Sequence, residues 1–317
     1  MSNKTKIAIL AAGAVILAAL FVFYDIGSNW GYILPRRMQK VLAIIFTGSA
    51  IAFSTVIFQT ITNNRILTPS IIGLDSLYLL IQTFLIYVFG STSFFITNAN
   101  VNFLLSVGMM ILFAALLYKF LFKREGNHNI HLLLLVGIIF GTFFDSLSSF
   151  MQVLIDPNEF MIVQDTMFAS FNNINTDLLF AAFLTIVLVS LYFARLYKYM
   201  DVLALGKDHA INLGVEYDAV AKRLLFLVAV LISVATALVG PITFLGLLVA
   251  NVAYELFKTY RHSYLIVGAM LISIVVLVGG QFIVEKVFVF STPLAVIINF
   301  VGGVYFIYLL LKESKSW

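Results

Sequence analysis

The sequence contains no cysteine and few charged residues, and both shortages narrow what the protein can be. Without cysteine there is no disulfide, no thiolate metal ligand and no cysteine nucleophile. Charged residues make up only 11% of the 317 residues, whereas soluble proteins carry about 25%. So few charges cannot cover the surface of a water-soluble protein of this size. Because 62% of the residues are hydrophobic, most of the surface must face lipid.

The common motifs of enzymes and nucleotide-binding proteins are also missing. There is no G-x-x-x-x-G-K-[ST] for nucleotide phosphates, no H-E-x-x-H for zinc and no G-x-S-x-G for a serine nucleophile. We interpret the histidines as interfacial residues near predicted cytoplasmic loops, not as metal ligands; they are His128, His131, His209 and His262. The basic residues are spread along the chain, so nucleic-acid binding is not indicated. The sequence therefore disfavours a membrane-embedded enzyme and predicts neither a metal nor a cofactor bound by this chain.

Long continuous apolar runs are what the sequence has in abundance. Barrel strands alternate apolar and polar residues, whereas these runs are apolar throughout and long enough for membrane-spanning helices. We expect an all-α integral membrane protein with a single transmembrane domain over residues 1–317 and about ten transmembrane helices. The predicted spans cover residues 7–24, 38–61, 70–89, 101–120, 131–153, 177–197, 222–240, 242–257, 263–284 and 294–311.

The 19 Lys and Arg residues give these spans an orientation. If the N-terminus is cytoplasmic, all of them except Arg36, Arg37, Lys40 and Lys286 fall on the cytoplasmic side. Cytoplasmic loops of membrane proteins carry an excess of Lys and Arg. The sequence therefore predicts a multi-pass protein of the plasma or inner membrane with both termini in the cytoplasm.

A few polar residues lie inside the apolar spans. Three of them are acidic: Asp75, Asp145 and Glu255. Asp145 is the deepest by sequence, and it begins a polar stripe on the fifth span that continues through Ser146, Ser148, Ser149 and Gln152. Intramembrane carboxylates often belong to proton relays or polar pathways. The stripe therefore either lines a translocation path or hydrogen-bonds a neighbouring helix, and both interpretations stay open.

Two helix-breaking segments interrupt the apolar sequence. One runs from Thr68 to Gly73 and contains Pro69, and the other is Gly240-Pro241. Broken helices are tolerated in a membrane only inside protein or beside a water-filled cavity. These breaks favour a transporter.

The longest cytoplasmic connection, residues 198–221, is mildly amphipathic. Gly206 and Gly214 punctuate it, which predicts two short helices joined by turns. Such a connection either caps the membrane face or offers a docking surface to a cytoplasmic partner.

Three sequence blocks occur in an order and spacing that point to a known family. The first contains Leu34-Pro35-Arg36, Gly48, Gln59, Asn63-Asn64, Pro69 and Gly73. The second is LALGKDHAINLGV from Leu203 to Val215, and the third is GPITFLGLL from Gly240 to Leu248. Together with the closing span, Pro293 to Lys312, they resemble the permease subunits of ABC importers for iron-siderophores, haem and vitamin B12. Ile33 and Ala250-Asn251 depart from that pattern, where the family often has an Arg and a Pro-His pair.

The resemblance implies a type II ABC importer permease architecture and a set of partners. Two permease subunits would pair around a central pathway, two cytoplasmic ATPase subunits would bind ATP, and an extracytoplasmic binding lipoprotein would deliver the ligand. The overall sequence of the chain is similar to that of Gram-positive permeases for petrobactin-like or other catechol siderophores, which form heterodimers. We therefore expect a ferric siderophore as the cargo and a second, different permease as the partner in the bilayer.

The resemblance also implies roles for individual residues. The ATPase-coupling loop would consist of Leu205, Gly206, Ala210, Leu213, Gly214 and Val215. On the outer face, Arg36 would form salt bridges with the binding protein, and we add Arg37 and Lys286 as further candidates. The rival hypothesis is a proton-coupled secondary transporter in which Asp145 carries the proton.

Overall fold

The computed structural model describes residues 2–26, 29–121, 130–172, 174–289 and 292–314, so His128 lies outside the described residues. Within these ranges the chain forms thirteen α-helices and one 3-10 turn, Pro69–Ile72. The helices are α1 (Asn3–Phe23), α2 (Trp30–Thr62), α3 (Leu74–Phe89), α4 (Phe94–Thr97), α5 (Ala99–Leu121), α6 (Ile130–Leu154), α7 (Pro157–Thr166), α8 (Thr176–Leu203), α9 (Lys207–Asn212), α10 (Tyr217–Val239), α11 (Leu245–Phe257), α12 (His262–Lys286) and α13 (Leu294–Ser314).

The prediction of about ten membrane helices is confirmed. Each predicted span corresponds to one helix, and eight of these helices in the described part of the chain are long and apolar enough to cross a membrane. The other two, α3 and α11, are apolar but have only 16 and 13 residues. At 1.5 Å per residue α11 is only about 20 Å long, shorter than the hydrocarbon core of about 30 Å. Irregular backbone precedes both helices, at residues 63–73 and 240–244.

Helix α2 is the centre of the fold. Every residue from Thr47 to Thr62 is buried, and α2 packs against α1, α8, α10, α11 and α12. Small residues permit this close approach, since a Cβ added at Gly48 would lie 2.7 Å from the Ser273 hydroxyl of α12. Helix α2 begins at Trp30, eight residues before the predicted start, and carries Pro35 inside its second turn.

Both predicted helix breaks are present. The chain from Asn63 to Gly73 is irregular apart from the 3-10 turn, and Gly73 adopts a φ of +86° that favours glycine. The second break follows Val239, whose carbonyl accepts a hydrogen bond of 2.8 Å from the backbone N–H of Ser170. Both breaks pack closely against other parts of the chain, since a Cβ at Gly73 would lie 2.9 Å from the backbone of Gly141 and one at Gly240 would lie 3.0 Å from that of Ala169.

Two connections differ from the sequence-based expectation. Residues 198–221 contain only one short helix, α9, because α8 continues to Leu203 and takes the place of the other predicted helix. On the outer side, α7 was not predicted at all. Asp156 caps its first turn by accepting from the N–H of Asn158, and Pro157 occupies the first helical position, where its missing N–H costs nothing.

Candidate functional site

The connection between α8 and α10, residues 204–216, forms a structured protrusion that we call the coupling loop. Ala210 is fully buried and holds α9 against the body of the protein, while Leu205 and Leu213 are 56% and 63% exposed. Gly206 and Gly214 flank α9 with φ angles of +95° and +80°, which residues other than glycine rarely adopt. The loop therefore presents two leucines to the outside from a backbone fixed by two glycines.

The base of the coupling loop is joined to the core by a buried histidine. His262, the first residue of α12, is only 2% exposed, so it is not a surface residue of the interface as we expected. One ring nitrogen lies 2.6 Å from a carboxylate oxygen of Asp201 on α8, and the other lies 2.9 Å from the hydroxyl of Thr60 on α2. Three helices are thereby tied together at the foot of the loop. Within the described residues, no cluster of His, Cys, Asp or Glu is arranged to hold a metal ion.

Further hydrogen bonds connect the end of α2 to its neighbours. The hydroxyl of Tyr217, which follows the coupling loop, donates to the carbonyl of Ile61 at 2.9 Å. The carbonyl of Arg65 accepts from the side-chain amides of Gln59 and Asn251 at 2.6 and 2.9 Å. The residue after the coupling loop is thereby hydrogen-bonded to the end of α2, and the irregular segment that follows α2 is hydrogen-bonded to α2 and α11.

Arg36 is the best placed of the outer-face candidates. It is exposed, and its guanidinium carbon lies 4.3 Å from the ring centroid of Tyr32. Arg36 and Lys40 line an outward-facing cavity of about 410 Å³ together with Asn172 and Asn175. The Arg36 guanidinium is thus positioned by the Tyr32 ring at the edge of a polar cavity. This geometry suits an acidic surface of a partner protein.

Arg37 has a different environment from Arg36. Its guanidinium donates to the carbonyls of Val22 and Tyr24 at 3.2 and 2.5 Å and also contacts the carbonyls of Phe21 and Asp25. These carbonyls belong to the C-terminal end of α1, where the helix dipole favours a cation. Arg37 therefore fastens the end of α1 to α2, and its predicted contact with the binding protein stays a prediction.

Lys286 is also engaged within the chain. Its ammonium group lies 2.9 Å from a carboxylate oxygen of Asp25, and the hydrogen bond and charge of Lys286 lower the pKa of that exposed carboxyl. Nearby, Lys40 and Glu285 form a half-buried ion pair at 2.7 Å. The predicted cations of the outer face thus differ in their contacts. Arg37 and Lys286 bond to groups of the same chain, whereas Arg36 is exposed and is the best placed to contact another protein.

The polar stripe on α6 divides into two faces. Asp145, Ser146 and Ser149 are exposed on the surface of the chain. Ser148 is 3% exposed, and its hydroxyl lies 2.9 Å from that of Thr83 on α3; Gln152 donates to Ser148 at 3.1 Å. Ser148 and Gln152 therefore hydrogen-bond within the helix bundle, as one of the two interpretations predicts, whereas pathway lining by the exposed residues stays a prediction.

Asp75, another of the acidic residues within the apolar spans, has polar neighbours from distant parts of the chain. It begins α3 directly after the irregular segment, and its carboxylate accepts a hydrogen bond of 3.0 Å from the hydroxyl of Thr236 on α10. Asp75 lines a small polar cavity with Ser70, Thr55 and Thr243, which belong to three other parts of the chain. The break at Thr68–Gly73 was the available signal, because a carboxylate beside irregular backbone can find polar partners inside a membrane.

Comparisons with known proteins agree with this architecture. Residues 5–312 match the model of the FecCD transport family. The chain is 65% identical over 317 residues to the petrobactin import system permease protein YclO of Bacillus subtilis, which covers 100% of both chains. It is 37% identical over 281 residues to the petrobactin import system permease protein FatC of Bacillus anthracis, covering 89% of this chain and 79% of that one.

A solved structure shares the fold at lower sequence identity. An inward-facing conformation of a metal-chelate type ABC transporter matches with a TM-score of 0.85 and 22% identity, covering 98% of this chain and 100% of the other. The family model spans nearly the whole chain, and both relatives above exceed 30% identity. This multi-pass membrane protein therefore belongs to the FecCD transport family.

Proposed function

We propose that the chain is the transmembrane permease subunit of an ABC importer for a ferric siderophore of the petrobactin type. The observation that carries this proposal is the 65% identity, over 100% of both chains, to a petrobactin import permease. The permease performs no covalent chemistry, and ATP is bound and hydrolysed by partner subunits. Transport then proceeds by alternating access of a pathway to the two sides of the membrane.

The partner on the other side of the pathway is a second, different permease subunit. This part of the proposal is supported by two petrobactin import permeases of Bacillus anthracis, FatC and FatD, which are 37% and 25% identical to this chain. The exposed face of α6, with Asp145, Ser146 and Ser149, would contribute half of the pathway wall. Two ATPase subunits and a siderophore-binding lipoprotein complete the importer.

Uptake of iron-labelled siderophores tests the function. In a strain that lacks the endogenous permease, the chain and its partner subunits should restore uptake of ferric petrobactin in preference to ferric hydroxamates. Inactivation of the ATPase should abolish this uptake. Uptake that survives ATPase inactivation but collapses with the proton gradient would instead support a secondary transporter that uses Asp145.

Thiol labelling tests the assignment of α6 to the pathway. Because the chain contains no cysteine, single cysteines can be introduced without removing any others. We expect a membrane-impermeant thiol reagent to label Ser146→Cys and Ser149→Cys in the assembled importer, since a pathway is wetted. Leu112→Cys is the control, because Leu112 is 60% exposed in the middle of the neighbouring helix α5 and would contact lipid. Equal labelling at all three positions, or none, would refute the assignment.

The two exposed leucines of the coupling loop are proposed to contact the ATPase. Large apolar side chains on a water-facing loop are typical of a protein-binding surface. Leu213→Asp should reduce co-purification of the ATPase and uncouple ATP hydrolysis from transport. Asn212→Asp adds the same charge one residue earlier, at another exposed position, and should leave both unchanged. Full coupling in Leu213→Asp would remove the loop from the interface.

Arg36 is proposed to bind a carboxylate of the siderophore-binding protein. Arg36→Glu should slow delivery by the binding protein and make the remaining uptake less sensitive to salt, because charges at an interface rim act mainly on association rate. Arg36→Lys keeps the charge and should retain most of the uptake. Normal uptake by Arg36→Glu would exclude this role.

A further inference from the structure

A large cavity on the cytoplasmic side of the membrane has no role in the transport mechanism described above. It has a volume of about 880 Å³ and lies where α5, α8 and α10 meet. Its walls come from the last turns of α5, the first turns of α10 and the middle of α8, around Tyr192. The coupling loop does not line it.

The polar side chains of this cavity are basic. Lys119 of α5 and Lys222 and Arg223 of α10 all line it, and all three are exposed. The lining that the described residues provide contains no carboxylate. Three cations without an opposing carboxylate in the same depression attract an anion with several acceptor oxygens, such as a phosphate group.

A buried tyrosine adds an independent indication of a ligand. Tyr118 lines the same cavity and is only 1% exposed. Its hydroxyl has no hydrogen-bond partner within the part of the chain that the structure describes. Buried hydroxyl groups are nearly always hydrogen-bonded, so this hydroxyl in the wall of a basic cavity is best satisfied by an acceptor that the described residues do not supply.

The remaining walls are mostly apolar and partly exposed at the surface of the chain. Phe226 and Tyr192 are 41% and 39% exposed in the cavity lining, and Leu116, one residue beyond Ala115 of the lining, is 57% exposed on α5. A soluble phosphate would leave this apolar surface uncovered, whereas an acyl chain would cover it. Basic pockets between membrane helices on the cytoplasmic side are known to accept anionic lipid head groups.

We propose that this cavity binds an anionic phospholipid of the inner leaflet. The lipid phosphate lies among Lys119, Lys222 and Arg223 and accepts a hydrogen bond from the hydroxyl of Tyr118. An acyl chain of the lipid lies along Phe226. The bound lipid joins α5 to α10 in the way that a side-chain contact would. The site is a property of this chain alone and does not depend on the identity of the siderophore.

Native mass spectrometry of the purified full chain tests the proposal with phosphatidylglycerol as the probe and phosphatidylcholine as the neutral comparison. The test variant removes the three cavity cations through Lys119→Gln, Lys222→Gln and Arg223→Gln. The control removes three cytoplasmic cations elsewhere, through Lys4→Gln, Lys258→Gln and Arg261→Gln. Each juxtamembrane cation contributes about fivefold to binding of an anionic lipid, so the test variant should bind phosphatidylglycerol about 100-fold more weakly. The control should change binding less than about twofold, because removing a distant exposed charge has little local effect.

Two further variants keep the outcome independent of misfolding. Tyr118→Phe removes only the orphan hydroxyl and should weaken phosphatidylglycerol binding about fivefold, since a hydrogen bond to a charged group is lost. Lys119→Arg with Lys222→Arg retains the charges and should bind normally. The proposal is overturned if the glutamine variant binds as well as the control, or if wild type binds both lipids equally. It is also overturned if free glycerol phosphate displaces the lipid at equal concentration, because the site would then be one for a soluble phosphate.

Discussion

His262 offers a measurable test of how the coupling loop is held. The substitution His262→Ala removes the contacts of the ring with Asp201 and Thr60 and empties a site that is 2% exposed. Each hydrogen bond contributes about 1 kcal/mol, the one to Asp201 being discounted because that side chain is 42% exposed. The emptied space costs about another 1 to 2 kcal/mol. We therefore expect a loss of about 3 kcal/mol in the free energy of unfolding.

The loss can be measured by unfolding the purified chain with sodium dodecyl sulfate in mixed micelles, followed by circular dichroism. Amide hydrogen exchange of residues 204–216 should accelerate about 100-fold if the same 3 kcal/mol governs local opening of the loop. His262→Phe keeps a ring and should show the hydrogen-bond part of the loss. His209→Ala alters an exposed histidine of α9 and should change the free energy by less than about 0.5 kcal/mol. A loss below about 1 kcal/mol in His262→Ala, with unchanged exchange, would refute the reasoning, because the two ring contacts alone amount to more.

Three other perturbations have defined outcomes. A Cβ at Gly137 would lie 2.8 Å from the carbonyl oxygen of Ile71 in the 3-10 turn, so Gly137→Ala should cost about 1 to 3 kcal/mol in the same assay. Gly108→Ala has nothing within 4 Å and should be neutral; equal effects would mean that the close approach is unimportant. Gln82→Leu removes hydrogen bonds to α5 and should cost about 1 kcal/mol, and no loss would show that these bonds do not stabilise the helix pair. Lys286→Gln should raise the pKa of Asp25 toward its ordinary value of 3.8, measured by carbon NMR of the labelled carboxyl; an unchanged pKa would mean that the ion pair does not form. Because the paired Asp25 has a lowered pKa, the contact should be complete near neutral pH and be lost only as the pH falls through that lowered value.

The spans could be predicted from sequence because hydrophobic length is a local property. Ten apolar runs became ten helices, and the two breaks appeared where proline and glycine interrupt them. The outer helix α7 was within reach as well, since Asp156-Pro157 is a recognisable helix start. Helix α7 was not predicted, because a short polar helix contains no long hydrophobic run that would indicate it.

The side-chain roles could not be predicted in the same way, because they depend on which distant segments meet. Arg36 and Arg37 are adjacent in sequence, yet one is free to face outward and the other reaches the carbonyls of α1. His262 is buried because α8 and α2 approach it. Its partners on these helices, Asp201 and Thr60, lie 61 and 202 positions away in the sequence. Asp145 has the deepest position by sequence, but its exposure depends on which helices pack on α6, and no described helix covers the face that carries it.

The attachment of α1 at both ends has a mechanical consequence. At its cytoplasmic end the ammonium of Lys6 donates to the carbonyl of Leu256, and at its outer end Arg37 holds the last carbonyls while Tyr24 packs edge-on against Phe282. Because α1 is attached at both ends, it cannot rotate as a rigid body relative to the helices it packs against. Because these contacts join α1 to α2, α11 and α12, we expect the four helices to move together during a transport cycle. The irregular segments before α3 and α11 are then places where the chain can bend.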